Sequence, residues 1–386
     1  MTVVSRLAPP RPARREAVLA AALLLSVAVV GFTVLLVINH RLGHDVRWLL
    51  YRWDSGNYLH VAERGYPRSL PYRPDGTPDY NRLAFFPLVP ALIRALHLVT
   101  GLPYMYAGVL LSWCAAAVAA VGVHRLVRAV GGSAGAGYAC VALWACCPYA
   151  FALWVPYSEA LFSALLVWSL VFLVRGSWVA AGALCALAGT VRPTASVLVA
   201  GVVLAAGWAA VRRRDGRGPW VALALAPLGL LVSWLFLGSR VGRWDGWFEA
   251  ERAWGQSFDF GVGTAGVLRH ILLYRDLHLA DDVRRAAVVA VVLLTAVGVL
   301  ALALDRRVPW PLVVVVAGAW VLMVGTPGSP FSKPRFMLPF LPVLLLLAAR
   351  PLARVPLGVR VCLYGGGAVV SGWYAAGLLV LFEGSP

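Results

Sequence analysis

The sequence predicts an all-α, polytopic membrane protein. Hydrophobic residues make up 61% of its 386 residues, and the mean hydropathy is +0.78. Long uncharged runs recur along the whole chain, and the charges fall in short blocks between them. Together these describe a helical bundle that crosses a bilayer many times rather than two soluble domains of the same total length.

The charge balance supports the same class. The chain carries 34 basic and 17 acidic residues, a net charge of +17. Basic blocks between apolar runs act as orientation signals, so the charge does not point to nucleic acid. Cys114, Cys140, Cys146, Cys147, Cys185 and Cys362 all lie within apolar runs, away from any histidine at ligand spacing. They read as small core residues, and no metal or cofactor is expected.

The first apolar run, Ala17–Ile38, holds 22 residues without a charge. As a helix it spans about 33 Å, enough to cross hydrocarbon. A signal peptide would have a shorter apolar core and a small-residue cleavage site, which Asn39-His40-Arg41 does not supply. Arg6, Arg11, Arg14 and Arg15 ahead of the run hold the N-terminus in the cytoplasm. Residues 39–103 then form a first outer loop. Within it, the stretch from Asp54 to Glu63 reads as a short helix along the membrane face. Pro67, Pro71, Pro74, Gly76 and Pro78 break the residues after it into irregular loop.

The segment Ala84–Leu102 is apolar but contains Pro87, Pro90, Arg94 and His97. Spanning would put Arg94 near the bilayer centre at a cost of about 2.5–3.5 kcal/mol, so an interfacial helix is expected. Later spans are expected at Tyr104–Val123, Gly135–Leu153, Ser158–Val174, Trp178–Val191, Pro193–Val211, Pro219–Gly238, Ala286–Leu304, Pro309–Gly325, Arg335–Ala349 and Val361–Phe382. That gives about eleven spans. The inner connections then hold Arg125, Arg128, Arg175, Arg212–Arg214, Arg217, Arg306, Arg307, Arg350, Arg354 and Arg360, opposed only by Glu16, Asp215 and Asp305. If Ala84–Leu102 spanned, every later basic loop would fall outside. Residues 239–285 form a second outer segment, whose Trp244, Trp247, Glu249, Glu251, Trp254 and Phe258 suit a lid, a sugar platform or an interfacial belt. The whole chain, 1–386, reads as one integral-membrane domain in the plasma membrane.

This topology collects the reactive residues on the outer side. Arg52, Asp54, His60 and Glu63 belong to the first loop; Tyr157, Ser158 and Glu159 form a turn; Arg192 interrupts Thr190-Val191-Arg192-Pro193; and Lys333 and Arg335 lie in Ser332-Lys333-Pro334-Arg335-Phe336. Guanidinium forks at headgroup depth suit phosphate oxygens. A carboxylate facing them can take a proton from a hydroxyl that attacks an anomeric carbon, while a lipid phosphate leaves without an acid. On this reading Asp54 is the base and Arg192, Lys333 and Arg335 hold the donor phosphate. Arg52, His60, Glu63, Tyr157 and Glu159 orient the acceptor or Asp54. Plainer roles compete: the arginines as snorkelling groups, Asp54 as a helix cap, Glu63 as a surface partner of Arg64 or Arg52.

Five stretches in order, Arg52-Trp53-Asp54, Ala62-Glu63-Arg64-Gly65-Tyr66, Ala84-Phe85-Phe86-Pro87-Leu88-Val89-Pro90, Tyr157-Ser158-Glu159-Ala160-Leu161-Phe162 and Thr190-Val191-Arg192-Pro193, resemble the PIG-V family, the GPI mannosyltransferase 2 type and its bacterial relatives. The resemblance covers roughly residues 52–194 and, more weakly, 333–342. It implies a GT-C-type helical bundle that uses a polyprenyl-phosphate sugar. It also implies catalysis on the extracytoplasmic face, with an acid of the first outer loop, here Asp54, as base. Mannose from polyprenyl-phosphate mannose, an α-linkage, and a glycan, glycolipid or protein acceptor complete the set of implied properties. A transporter or flippase of the same topology is the rival class, although no matching halves are visible. Another lipid-phosphate sugar is the rival within the class.

Overall fold

The computed structural model describes residues 14–273 and 279–382, with side chains of the second stretch described from residue 283 onward. Arg6, Arg11 and part of the second outer segment lie outside the described residues.

The described chain is built of helices. In order they are α1 (Arg14–Arg41), α2 (Val46–Leu50), α3 (Trp53–Arg64), α4 (Leu88–Thr100), α5 (Tyr104–Ala129), α6 (Ala134–Ala145), α7 (Glu159–Val174), α8 (Trp178–Gly189), α9 (Ala195–Val211) and α10 (Gly218–Leu225). They continue as α11 (Leu228–Arg240), α12 (Gly246–Ala253), α13 (Val262–Leu273), α14 (Leu279–Leu304), α15 (Trp310–Gly325), α16 (Lys333–Met337), α17 (Leu341–Leu344), α18 (Leu346–Leu352) and α19 (Leu357–Ala376). Among the described residues, five stretches are long and apolar enough to cross a membrane: Arg14–Arg41, Tyr104–Ala129, Gly218–Arg240, Val283–Leu304 and Leu357–Leu381. The protein is a multi-pass, all-α membrane protein.

Several expected spans are shorter or broken, and proline explains most of the differences. The span expected at Gly135–Leu153 ends as an α-helix at Ala145, three residues before Pro148, and resumes as a 3₁₀ turn at Ala150–Leu153. The span expected at Arg335–Ala349 is instead α16, α17 and α18 in succession. Pro339 and Pro342 each remove an N–H and crowd the carbonyl four residues earlier, so one straight helix cannot form. The segment around Ala84–Leu102 forms α4, whose 13 residues reach about 20 Å, short of the hydrocarbon thickness.

Small residues let the helices approach closely. A Cβ on Gly229 of α11 would run into the Ala186 carbonyl oxygen of α8, and one on Gly372 of α19 into the Gly31 carbonyl oxygen of α1. Backbones meet this way in membrane bundles because packing, rather than hydrophobic expulsion, holds the helices together.

The bundle has two unlike ends. At one, Arg350 binds Asp305 (3.5 Å) and the Val130 carbonyl (3.4 Å), while Trp178 donates to Asp215 (3.1 Å). At the other, α3, α4 and α12 lie across the helix ends. Leu88 N–H donates to the Thr190 carbonyl (3.1 Å), Tyr66 hydroxyl to the Phe85 carbonyl (2.7 Å), and Trp254 Nε1 to the Asn81 carbonyl (3.2 Å). The last bond ties the segment after α12 to the loop before α4, forming a roof.

Candidate active site

Beneath that roof lies a cavity of about 600 Å³, within the usual range of about 300–1,000 Å³ for small-molecule sites. Asp54, Ser158, Arg192 and Arg335 line its polar side, with Glu159 behind them, and each segment is placed by a local rule. Asp54 lies at the start of α3, directly after Trp53, whose φ of 55° is a left-handed conformation that costs a bulky residue energy. Gly56 lets α3 begin this tightly, because a Cβ there would strike the Tyr51 carbonyl oxygen. Glu159 sits in the first turn of α7 after the Pro156 corner, where the helix dipole favours an anion. Arg192 stands in the gap between α8 and α9 that Pro193 enforces. Arg335 lies in α16, just after Pro334.

Asp54, Glu159, Arg192 and Arg335 form one chain of ion pairs. Arg192 Nη1 is 2.5 Å from Glu159 Oε1 and donates to Ser158 Oγ at 3.2 Å. The same Glu159 oxygen lies 3.3 Å from Arg335 Nε, and Arg335 Nη1 reaches Asp54 Oδ2 at 2.7 Å. Glu159 and Arg335 are 1% and 3% exposed, so each is buried against partners of opposite charge. Asp54 keeps more access, with 19% of its side chain exposed. The Tyr157 ring lies 5.0 Å below the Arg335 guanidinium, and Phe336 flanks both arginines. A planar cation stacked on rings is fixed in orientation.

The other expected site residues fall elsewhere. Glu63 is nine residues after Asp54, which at 100° per residue turns it about 180° to the exposed side of α3. His60 also faces away from the cavity. Burial, Arg82 and Arg64 lower its pKa, with Glu63 opposing them. Arg52 stacks on Trp48 (4.4 Å) and Trp53 (4.9 Å) and donates to the Phe382 carbonyl at 3.5 Å. Lys333, expected beside the donor phosphate, is 1% exposed and points behind α16. Its Nζ donates to the Met323 (2.7 Å) and Thr326 (2.6 Å) carbonyls at the end of α15, groups that helix geometry leaves unpaired.

The cavity also recruits residues that were not singled out for chemistry. Tyr58, four residues after Asp54, shares its face of α3, and Glu251 lines the wall from α12. Trp234, Trp247, Phe248 and Trp254 supply an aromatic side, while Leu322 and Met323 of α15 supply an aliphatic one. Among the described residues no group of three or more His, Cys, Asp or Glu could hold a metal ion.

The class defined here is an all-α membrane bundle with an acid–guanidinium cavity at one end, and comparison with solved structures bears on its fold alone. The apo oligosaccharyltransferase of Archaeoglobus fulgidus superposes with a TM-score of 0.52 at 13% identity, over 95% of this chain and 56% of that one. ArnT from Cupriavidus metallidurans bound to undecaprenyl phosphate gives 0.49 at 16% identity, over 89% and 61%. This chain therefore spans little more than half the length of the structures it resembles. No family profile and no curated protein matches the sequence.

Proposed function

We propose that this chain is an inverting glycosyltransferase that moves mannose from polyprenyl-phosphate mannose to an acceptor hydroxyl, forming an α-mannosidic link. The observation that carries this reading is the sharing of one cavity by the Asp54 carboxylate and the Arg192 and Arg335 guanidiniums. The GT-C fold it has in common with an oligosaccharyltransferase and the stretches resembling the PIG-V family support it.

Asp54 binds Arg335 through Oδ2. A carboxylate offers about four lone-pair sites on two oxygens, so this bond leaves capacity to accept the acceptor hydroxyl. That hydroxyl loses its proton to Asp54 as its oxygen bonds to the anomeric carbon. The bond from that carbon to the phosphate oxygen breaks on the opposite face, and polyprenyl phosphate departs with the electron pair. Arg192 and Arg335 stabilise the charge gathering on the phosphate. Glu159 spaces the two guanidiniums, and the Tyr157 ring fixes the plane of Arg335. The basic loops belong to the opposite end of the bundle, which by the orientation rule supports a cavity on the extracytoplasmic face of the plasma membrane. One integral-membrane domain, residues 1–386, performs the reaction on a glycan, glycolipid or protein acceptor.

The test is transfer by purified protein from a panel of lipid-phosphate sugars to cell-envelope extract. Asp54→Asn should lower turnover with polyprenyl-phosphate mannose by about 10²–10⁴-fold while membrane insertion is retained. Wild-type turnover in that variant, or uptake of substrate into vesicles without a new glycosidic bond, overturns the reading.

A further inference from the structure

One carboxyl on the cavity wall has no part in the reaction set out above. Glu251 belongs to α12, whose other acid is engaged in ion pairs: Arg252 Nη1, itself at the cavity edge, lies 2.8 Å and Arg243 Nη2 3.6 Å from Glu249. Trp247, Glu251 and Trp254 stand at i, i+4 and i+7, within about 60° of one another around the helix, and all three line the cavity with Asp54 and Arg192. An acid within an aromatic stripe, on a helix whose Arg252 pairs with Glu249 instead, is not placed for surface pairing.

We propose that Glu251 is an acceptor-binding residue: its carboxyl hydrogen-bonds a hydroxyl of the acceptor next to the one that Asp54 deprotonates, while Trp254 packs against the acceptor. This rests on the glycosyltransferase reading above. Burial pushes the Glu251 carboxyl up to about 8, against the pull of Arg192 and with a further push from Asp54. At neutral pH the group is therefore an acid that both donates and accepts, matching a hydroxyl. Being uncharged, it adds no second negative charge beside Asp54 while Asp54 gains a proton. The charged groups facing it are Asp54 of α3, Arg192 of the α8–α9 gap and Arg335 of α16, with Glu159 behind the arginines and Glu249 and Arg252 on its own helix. No histidine lines the cavity among the described residues. Gln256 and Ser257, near neighbours of Glu251 that also line the cavity, are neutral hydrogen-bonding groups suited to a polyhydroxylated acceptor.

The experiment uses the full chain in detergent or nanodiscs, polyprenyl-phosphate mannose as donor, and alkyl mannosides and hydroxyl-bearing peptides as alternative acceptors. Glu251→Ala should lower kcat/KM for the mannosides by roughly 10- to 100-fold, mainly through acceptor KM, with donor KM unchanged. Wild-type kcat/KM for the acceptor should fall above about pH 8 as Glu251 ionises. Glu251→Gln should lose less than Glu251→Ala and should lack that alkaline fall. An unchanged acceptor KM in Glu251→Ala, an alkaline limb that survives in Glu251→Gln, or equal effects on donor and acceptor KM overturns the inference while the transferase reading stands. Transfer to the peptides alone overturns the polyhydroxylated acceptor. If the wild type transfers to no acceptor, the transferase reading fails and takes this one with it.

Discussion

Arg335 Nη1 meets Asp54 Oδ2 at 2.7 Å, joining the start of α3 to the broken helix near the C-terminus. The same guanidinium holds Glu159 through Nε. Only a planar fork reaches two carboxylates with fixed geometry, because an ammonium is a single point on a flexible stem. Arg335→Lys should therefore reduce turnover by at least about 10²-fold, since proton transfer depends on that geometry. The double variant Arg335→Lys/Asp54→Asn should be little slower than Asp54→Asn alone, as expected of residues acting as a unit. Steady-state transfer rates of the three variants check this, and additive losses would contradict it.

Glu159 is the charge that the buried arginines depend on. Removing one partner of a buried ion pair costs about 3–5 kcal/mol because an unpaired charge is left behind. Glu159→Gln should lower the Tm in detergent accordingly. Replacing Arg192 with Met in the same background should recover part of the loss, because it takes away the cation that Glu159 neutralised. Thermal unfolding of the single and double variants measures the difference.

Gly56 makes a backbone argument testable. Its missing Cβ leaves room for the Tyr51 carbonyl, which fixes where α3 starts and thus where Asp54 points. Gly56→Ala should leave insertion into the membrane intact and reduce turnover, since small misplacements of reacting groups are costly. Full turnover in that variant would show that Asp54 does not depend on this turn.

The sequence made the class of fold legible because apolar runs and charge blocks follow from bilayer physics. It also pointed to the segments that carry Asp54, Glu159, Arg192 and Arg335, since each adjoins a proline or a helix end. It did not reveal how those side chains pair, because Glu159 sharing one oxygen between two arginines is a tertiary arrangement. Placing both Asp54 and Glu63 in the site overlooks the rotation of the short helix between them, which turns Glu63 away from Asp54. Lys333 illustrates a similar limit: a cation near a helix end serves a phosphate or a carbonyl equally well until its direction is known. Trp247, Glu251 and Trp254 stand out in the sequence only as part of an aromatic-rich segment, and the bounds of α12 are needed to give them a common face.

Glu251 also predicts how stability varies with pH. Its folded pKa of about 8 lies above the ordinary side-chain value of 4.5, so between those values the folded state holds a proton that the unfolded chain has released. Its contribution to stability is thus full below about pH 4.5, falls as pH rises and levels off above about pH 8. Glu251→Gln cannot ionise and removes this slope. Melting curves of both proteins from about pH 5 to 9 should diverge in favour of the variant as pH rises, and parallel curves would contradict it.

Lys333 offers the sharpest separation between a structural and a functional cation. Its Nζ bonds two carbonyls, Met323 and Thr326, where α15 runs out of its own donors. Lys333→Met keeps the length and apolar stem of the side chain but leaves both carbonyls without that donor, at about 1–3 kcal/mol each. The variant should therefore melt at lower temperature. It should bind polyprenyl-phosphate mannose with an unchanged donor KM, because the cations lining the cavity include Arg192 and Arg335 but not Lys333. A raised donor KM with an unchanged Tm would instead make Lys333 a phosphate ligand, whose side chain must then leave those carbonyls when donor binds.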